Sequence, residues 1–185
     1  MKNQDNQILD LKTITLDLYH DDRGFFTERF NKDKFLELGL PINYFQDNHS
    51  LSYPNVIRGL HYQQNPSQTK LVGCISGAIW DVAVDIRLNS PTFGKYFAIE
   101  LSAKNGKMLF IPAGFAHGFC VLGDEPANVL YKVDNKYSKE GDGGIKFDDI
   151  DLKIDWPIKD PIISDKDRNL PTLQEYIKSD KAFKL

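Results

Sequence analysis

The chain has little cysteine, no long apolar run and no excess of positive charge, and each shortage removes a class of function. Cys74 and Cys120 are the only cysteines in 185 residues, and neither belongs to a close Cys-x-x-Cys pair, so a zinc knuckle or a redox couple has little support. Both lie in apolar runs and are expected as buried thiols. No stretch approaches the roughly 18 apolar residues that a spanning helix needs, and the start, Met1 to Gln7, is polar, without the apolar region of a signal sequence. A membrane partner is therefore not expected, and the expected location is the cytoplasm. With 23 Lys and Arg against 26 Asp and Glu, the net charge is -3 and the pI about 5.8. That balance argues against a nucleic-acid partner, because phosphate-backbone binding rests on clustered cations. A small anionic ligand needs only a few local cations and stays open.

What is present belongs to an ordinary globular protein: 41% hydrophobic and 26% charged residues, near the usual composition. The length suits a single domain, 1–185, able to bury a substantial core. Residues 11–18 alternate apolar and polar, the period of a half-buried strand. Residues 31–39 read as a short helix that Asn31 can cap and Gly39 can end. From Tyr44 onward the pattern is one of short strands punctuated by glycine and proline, at 44–50, 56–63, 70–76, 78–87, 94–102, 107–111, 116–122 and 127–134. Such spacing predicts a mainly β protein, an antiparallel sandwich or barrel. Pro157, Pro161 and Pro171 predict an irregular tail from about residue 158.

The segment 78–87 is the most informative strand. Trp80, Val82, Val84 and Ile86 fall on one face, and Asp81, Ala83, Asp85 and Arg87 on the other. One face is expected as core and the other as the polar wall of a wet interior, with a solvent-facing sheet surface as the alternative.

Residues 106–117 read GKMLFIPAGFAH: a glycine, five residues, then Pro-x-Gly-x-x-His. This resembles the second sequence motif of the cupin barrel, in which a strand ends at a Pro-Gly turn and the next begins with an inward-pointing histidine. The plainer alternative is a hairpin with a surface histidine. Metal-binding cupins add an earlier His-x-His and a following Glu. Here the earlier pair is His61 and Gln63, so the ligand set is incomplete for a divalent metal, with two histidines holding one only with help from Asp81 or Gln63. Arg58 and His61 would point to opposite faces of a regular strand unless Gly59 bends it.

The strings DRGFF (22–26), FQDNHS (45–50), RGLHYQ (58–63), KLV (70–72), DVAVDIR (81–87), SPTFG (90–94), IPAGFAHGF (111–119), LYK (130–132), IDWP (154–157) and ISDKD (163–167) occur in one order along nearly the whole chain. Together they resemble the dTDP-4-dehydrorhamnose 3,5-epimerase family. The resemblance implies a cupin-type jelly-roll barrel with a few short helices, no cofactor and no metal. It makes His61 the proton acceptor, Asp167 its carboxylate partner, Tyr131 the proton donor and Lys70 the cation beside the C4 carbonyl oxygen. Arg23, Phe26, Glu28, Gln46, Asp47 and Asn48 match positions lining the nucleotide-sugar site. So do Arg58, His117 and Lys166, and Tyr137 matches an aromatic that stacks on the nucleobase. Two positions depart from the family's pattern: Lys136 replaces an aromatic beside Tyr137, and Asp142 replaces a substrate-contacting Glu.

These residue types suit enolisation. A carbon acid beside a ketone needs a base and something to stabilise the enolate oxygen, and imidazole exchanges protons near neutral pH. A keto group at C4 acidifies both C3 and C5, so one base and one acid on opposite faces can serve two successive inversions if the ring shifts or flips between them. The implied reaction turns dTDP-4-dehydro-6-deoxy-D-glucose into dTDP-4-dehydro-L-rhamnose, toward L-rhamnose for cell-surface polysaccharide. A relative that inverts one carbon would share these motifs; a metal-dependent cupin enzyme or a non-catalytic sugar-binding cupin are the other readings. The resemblance also implies a homodimer in which N-terminal strands are exchanged, so that Arg23 and Glu28 would complete the partner's site.

Overall fold

Short alternating strands bury their apolar faces only against a second layer, and in the computed structural model, which describes residues 1–6, 8 and 10–184, that layer is another sheet. The first sheet has six strands in the order β1 (Lys2–Asp5), β2 (Lys12–Thr15), β10 (Lys107–Ile111), β7 (Lys70–Ser76), β12 (Ala127–Val133) and β5 (Gln46–Ser52). The second runs β13 (Asp142–Gly144), β6 (Ile57–Gln63), β11 (Phe115–Leu122), β8 (Ala78–Asp85) and β9 (Tyr96–Ser102). A separate hairpin pairs β3 (Tyr19–Asp21) with β4 (Gly24–Phe26). Neighbouring strands are antiparallel throughout. The expected strands all form, and the architecture is the expected cupin-type sandwich.

Between the sheets, Val72, Cys74, Leu109 and Val129 of the first meet Ile79, Leu101, Phe119 and Val121 of the second. The outer face of the first sheet is covered by α1 (Lys32–Glu37), whose N-cap Asn31 accepts from the backbone N–H groups of Asp33 and Lys34 and whose Phe35 is fully buried. Gly39, at φ +63°, turns the chain out of the helix, as its position predicts.

Strand β8 divides into an apolar and a polar face as its pattern predicts. Its polar face does point into the sandwich, where Asp81 and Asp85 are 0% exposed, which excludes the solvent-facing alternative. The apolar face is not turned to the other sheet. Val82, Val84 and Ile86 point outward and are covered by Ile145, Leu152, Leu173 and Tyr176 from the C-terminal segment. That tail is therefore less irregular than its prolines predict: it carries α2 (Asp165–Arg168) and α3 (Leu173–Ile177). Tyr176 locks it down, donating to the Ile86 carbonyl and accepting from the Phe183 N–H, both at 2.7 Å.

Candidate active site

At one end of the sandwich the apolar filling gives way to a cavity of about 380 Å³. Its second-sheet wall depends on a break in strand pairing. In β6 and β11, His61 faces His117 and Arg58 faces Phe119, so three steps along one strand match two along the other. The extra residue lies at Gly59, which has φ +116°. This bulge answers the parity problem in the sequence, because it brings Arg58 and His61 to the same cavity. Space also demands glycine: a Cβ on Gly59 would lie 2.7 Å from both the Gly118 Cα and the His117 carbonyl oxygen.

His61 Nε2 lies 2.7 Å from Asp167 Oδ1, while Asp167 Oδ2 accepts from the Gly59 N–H at 3.0 Å. One carboxylate thus fixes the imidazole and the bulge that presents it. Asp167 is placed by α2, whose N-cap Ser164 accepts from the Asp167 backbone N–H. It is 4% exposed. Burial alone would raise its pKa, but the bonds from His61 and Gly59 outweigh that and hold the carboxyl below the usual range. About a third of the His61 side chain, 31%, remains accessible from the cavity.

The opposite wall belongs to the first sheet. Tyr131 stands beside Asn48 on β5 and Val72 on β7, and Gln46, Asn48 and Ser50, two residues apart, line the same wall. Burial raises the Tyr131 phenol above its ordinary pKa, so it carries its proton at neutral pH. Lys70, at the start of β7, reaches over to donate to the His61 carbonyl at 3.1 Å. Desolvation pushes its ammonium down to about 8, against the pull of Asp81 and Asp142. Base and phenol therefore come from opposite sheets, with a cation that spans them.

His117 is the inward histidine that the Pro-Gly turn predicts, not a surface residue: it is 7% exposed and its Nε2 lies 2.8 Å from Asp81 Oδ1. Burial lowers its pKa more than Asp81 raises it, so it is held neutral. Gln63 turns its carboxamide toward the backbone of Pro66, Lys136 and Ser138. No group of three or more His, Cys, Asp or Glu side chains with metal-binding geometry occurs among the described residues.

At the rim, Lys166 of α2 pairs with Asp142 of β13 at 2.6 Å, and Tyr137 is 57% exposed; all three line the cavity. Lys136 is exposed next to Tyr137 in the chain. The remaining expected residues lie elsewhere in the single chain. Arg23 and Phe26 are exposed on the β3–β4 hairpin, where Arg23 pairs with Asp21, and Glu28 pairs with Lys34. Asp47 falls on the outer face of β5, paired with Lys132; the strand's two-residue period turns it away from its neighbours Gln46 and Asn48. The cavity also includes Ser50, Tyr62, Gln68, Gly118, Phe119 and Ser164, beyond the sequence expectations. The period of β5 signals Ser50, whose buried hydroxyl has no partner among the described residues; Gln68 lies in an irregular loop that offers no such signal.

Known proteins resemble this chain over most of its length. The family model described as dTDP-4-dehydrorhamnose 3,5-epimerase matches residues 5–175. A dTDP-4-dehydrorhamnose 3,5-epimerase of Shigella flexneri is 50% identical over 165 residues, covering 88% of this chain and 91% of its own length. The crystal structure of dTDP-6-deoxy-D-glucose-3,5-epimerase from Legionella pneumophila, in complex with dTDP-4-keto-L-rhamnose, superposes with a TM-score of 0.94 at 41% identity, over 100% of this chain and 98% of that one. A 3'-monoepimerase from Streptomyces bikiniensis, in complex with dTDP-quinovose, matches at a TM-score of 0.90 and 30% identity, over 97% and 91% of the two chains. With its family model spanning nearly the whole chain and half of the 165 residues aligned with such a relative identical, the chain belongs to the dTDP-4-dehydrorhamnose 3,5-epimerase family.

Proposed function

We propose that the protein inverts C3 and C5 of dTDP-4-dehydro-6-deoxy-D-glucose to give dTDP-4-dehydro-L-rhamnose. The observation that carries this reading is the opposition of the His61–Asp167 pair on one sheet to the protonated Tyr131 on the other. His61 takes the proton from the carbon beside the ketone, and Asp167 supports the imidazolium that results. The Lys70 ammonium stabilises the enolate oxygen as charge develops there. Tyr131 then returns a proton from the far face, which inverts the centre. The C4 ketone acidifies the second carbon as well, so the cycle runs again once the imidazolium has passed its proton to solvent, the phenolate has regained one and the ring has shifted to present that carbon. No step needs a metal or an organic cofactor.

Arg58, His117 and Lys166 supply donors or positive charge for the sugar and diphosphate, and Tyr137 offers an open aromatic face to the base. Arg23 and Phe26 on the hairpin, with Glu28 just beyond it, act in a homodimer, extended into the partner's cavity. Exposure of Tyr19, Phe25 and Phe26 at 60%, 48% and 70% supports this, since such aromatics favour a protein interface. We assign the reaction to the cytoplasm; two free buried thiols suit a reducing compartment, and no helix of the described residues is long and apolar enough to cross a membrane.

The test is NMR of the 4-keto sugar nucleotide in deuterated water containing a chelator. The intact protein exchanges deuterium at C3 and at C5. His61→Ala abolishes exchange and epimerisation together, because no enolate forms without a base. Tyr131→Phe blocks inversion yet leaves exchange with retention, as deuterium on the histidine goes back to the face it left. Normal inversion in His61→Ala would sink the mechanism. Exchange at C3 alone would replace the double epimerisation by the single one, and activity lost with chelation would replace it by a metal-dependent one.

A further inference from the structure

Gln63 stands where a metal-binding cupin carries the second histidine of its first motif, yet its side chain is committed to another task. It is 5% exposed, and its carboxamide makes three bonds. Nε2 donates to the Pro66 carbonyl at 2.8 Å and to the Lys136 carbonyl at 3.1 Å, while Oε1 accepts from the Ser138 N–H at 2.8 Å. Both amide hydrogens are thereby used. Flipping the amide would set its NH₂ against the Ser138 N–H and its oxygen against two carbonyls, so the partners fix its orientation.

Lys136 and Ser138 are the two neighbours of Tyr137. The clamp grips the backbone on either side of this aromatic, whose ring stands open at the cavity mouth. At 57% exposed, Tyr137 gets little placement from packing of its own, so its backbone must hold it. Gln63 anchors that backbone to the end of β6, two residues beyond His61. We propose that Gln63 is a positioning residue that holds Tyr137 in register for the nucleobase, and so sets affinity for the thymidine diphosphate half of the substrate without serving the reacting carbons. This rests on the reading of Tyr137 as the nucleobase platform.

Calorimetric titration with dTDP, together with kcat and KM for the keto-sugar substrate, tests it in Gln63→Met, Tyr137→Ala and the double variant. Each single change is expected to weaken dTDP binding about tenfold, the scale of one base–aromatic stack, and to raise KM by a larger factor than it lowers kcat. The double variant should be no weaker than the worse single one, because the clamp acts only through the ring it places. Gln63→Glu provides a second reading if Gln63→Met does not fold. It keeps the size and the acceptor, loses both donors, and should weaken dTDP in the same direction. A collapse of kcat with unchanged dTDP affinity overturns the proposal, as do losses that multiply in the double variant. If Tyr137→Ala leaves dTDP affinity intact, the nucleobase reading of Tyr137 fails and this inference falls with it; if only the Gln63 variants leave it intact, the stacking reading stands and the clamp alone is wrong.

Discussion

Lys70 shows how a single side chain can be set for chemistry at some cost to comfort. Its ammonium sits where desolvation pushes the pKa down to about 8, because it must reach the cavity from the first strand position of β7 while hydrogen-bonded to the His61 carbonyl. The protonated form is the one that stabilises an enolate oxygen. Catalysis assisted by Lys70 is therefore present below about pH 8 and is lost as pH rises through that value. In Lys70→Met we expect kcat to fall about 10²- to 10³-fold, the scale of one lost oxyanion donor, and the alkaline limb near pH 8 to disappear from the kcat profile. A variant that retains the limb would assign it to another group. The sequence revealed Lys70 only by resemblance, since a lone lysine among strands is more often a solvated charge. The same is true of Asp167, which lies more than a hundred residues from His61, so that no local spacing can connect the two; the bond between them exists only because α2 folds back over β6. Parity was the local signal left unused at β5: with Gln46 and Asn48 in the wall, period two brings in Ser50, which the sequence reading missed, and turns away Asp47, which it had placed there.

At the scale of elements, the alternating strands were legible because period two survives whatever they pack against. Which layer covers which face was not. The valine and isoleucine face of β8 reads the same whether it meets another sheet or a returning tail, and only the tertiary fold reveals the tail. The short β3, β4 and β13 and the two tail helices escaped for a different reason: three to five residues are too few to display a period. Prolines at 157, 161 and 171 suggested irregularity, yet α2 and α3 fit around them, with Ser164 and Thr172 as N-caps. The bulge at Gly59 was legible as a necessity rather than as a geometry, for Arg58 and His61 could share a cavity only if the strand broke step. Gly59→Ala tests how tightly that break is built. It places a Cβ 2.7 Å from the backbone of β11 at a φ of +116°, where relief requires moving main chain. We expect a loss of about 2–4 kcal/mol, read as a lowered midpoint in urea, and a larger fall in kcat than in dTDP affinity, because the displaced atoms carry His61. A variant as stable as the parent would mean that the bulge tolerates a side chain and is not fixed by contact.

For the whole molecule, the cavity in one chain and the exposed hairpin are two halves of one question. Arg23 has 90% of its side chain exposed and, among the described residues, is paired only with Asp21, so within a single chain it lies outside the site that family resemblance assigns it. Either the assignment fails, or the site is completed by a second copy. Subunit mixing distinguishes the two without any structure of the dimer. One chain carries His61→Ala, which kills its own cavity but offers an intact Arg23; the other carries Arg23→Ala, which keeps its base but offers a defective hairpin. If the hairpin serves the partner, the mixed dimer contains one site with both defects and one with neither. Random reassortment of equal amounts makes half of the dimers mixed, and one site in two of those is whole, so activity should rise to about a quarter of the parent's in a two-fold symmetric pair. If Arg23 acts within its own chain, no mixed dimer contains an intact site, and mixing returns only the average of the two inactive parents. The experiment requires that subunits exchange, which mild denaturation and refolding of the mixture provides, with size-exclusion chromatography to verify that the refolded species is a dimer. Recovery near a quarter would place Arg23 in the partner's site; no recovery from a refolded dimer of two inactive parents would put Arg23 in the site of its own chain, and an Arg23→Ala parent as active as the unaltered protein would remove Arg23, and with it the exchanged hairpin, from the mechanism.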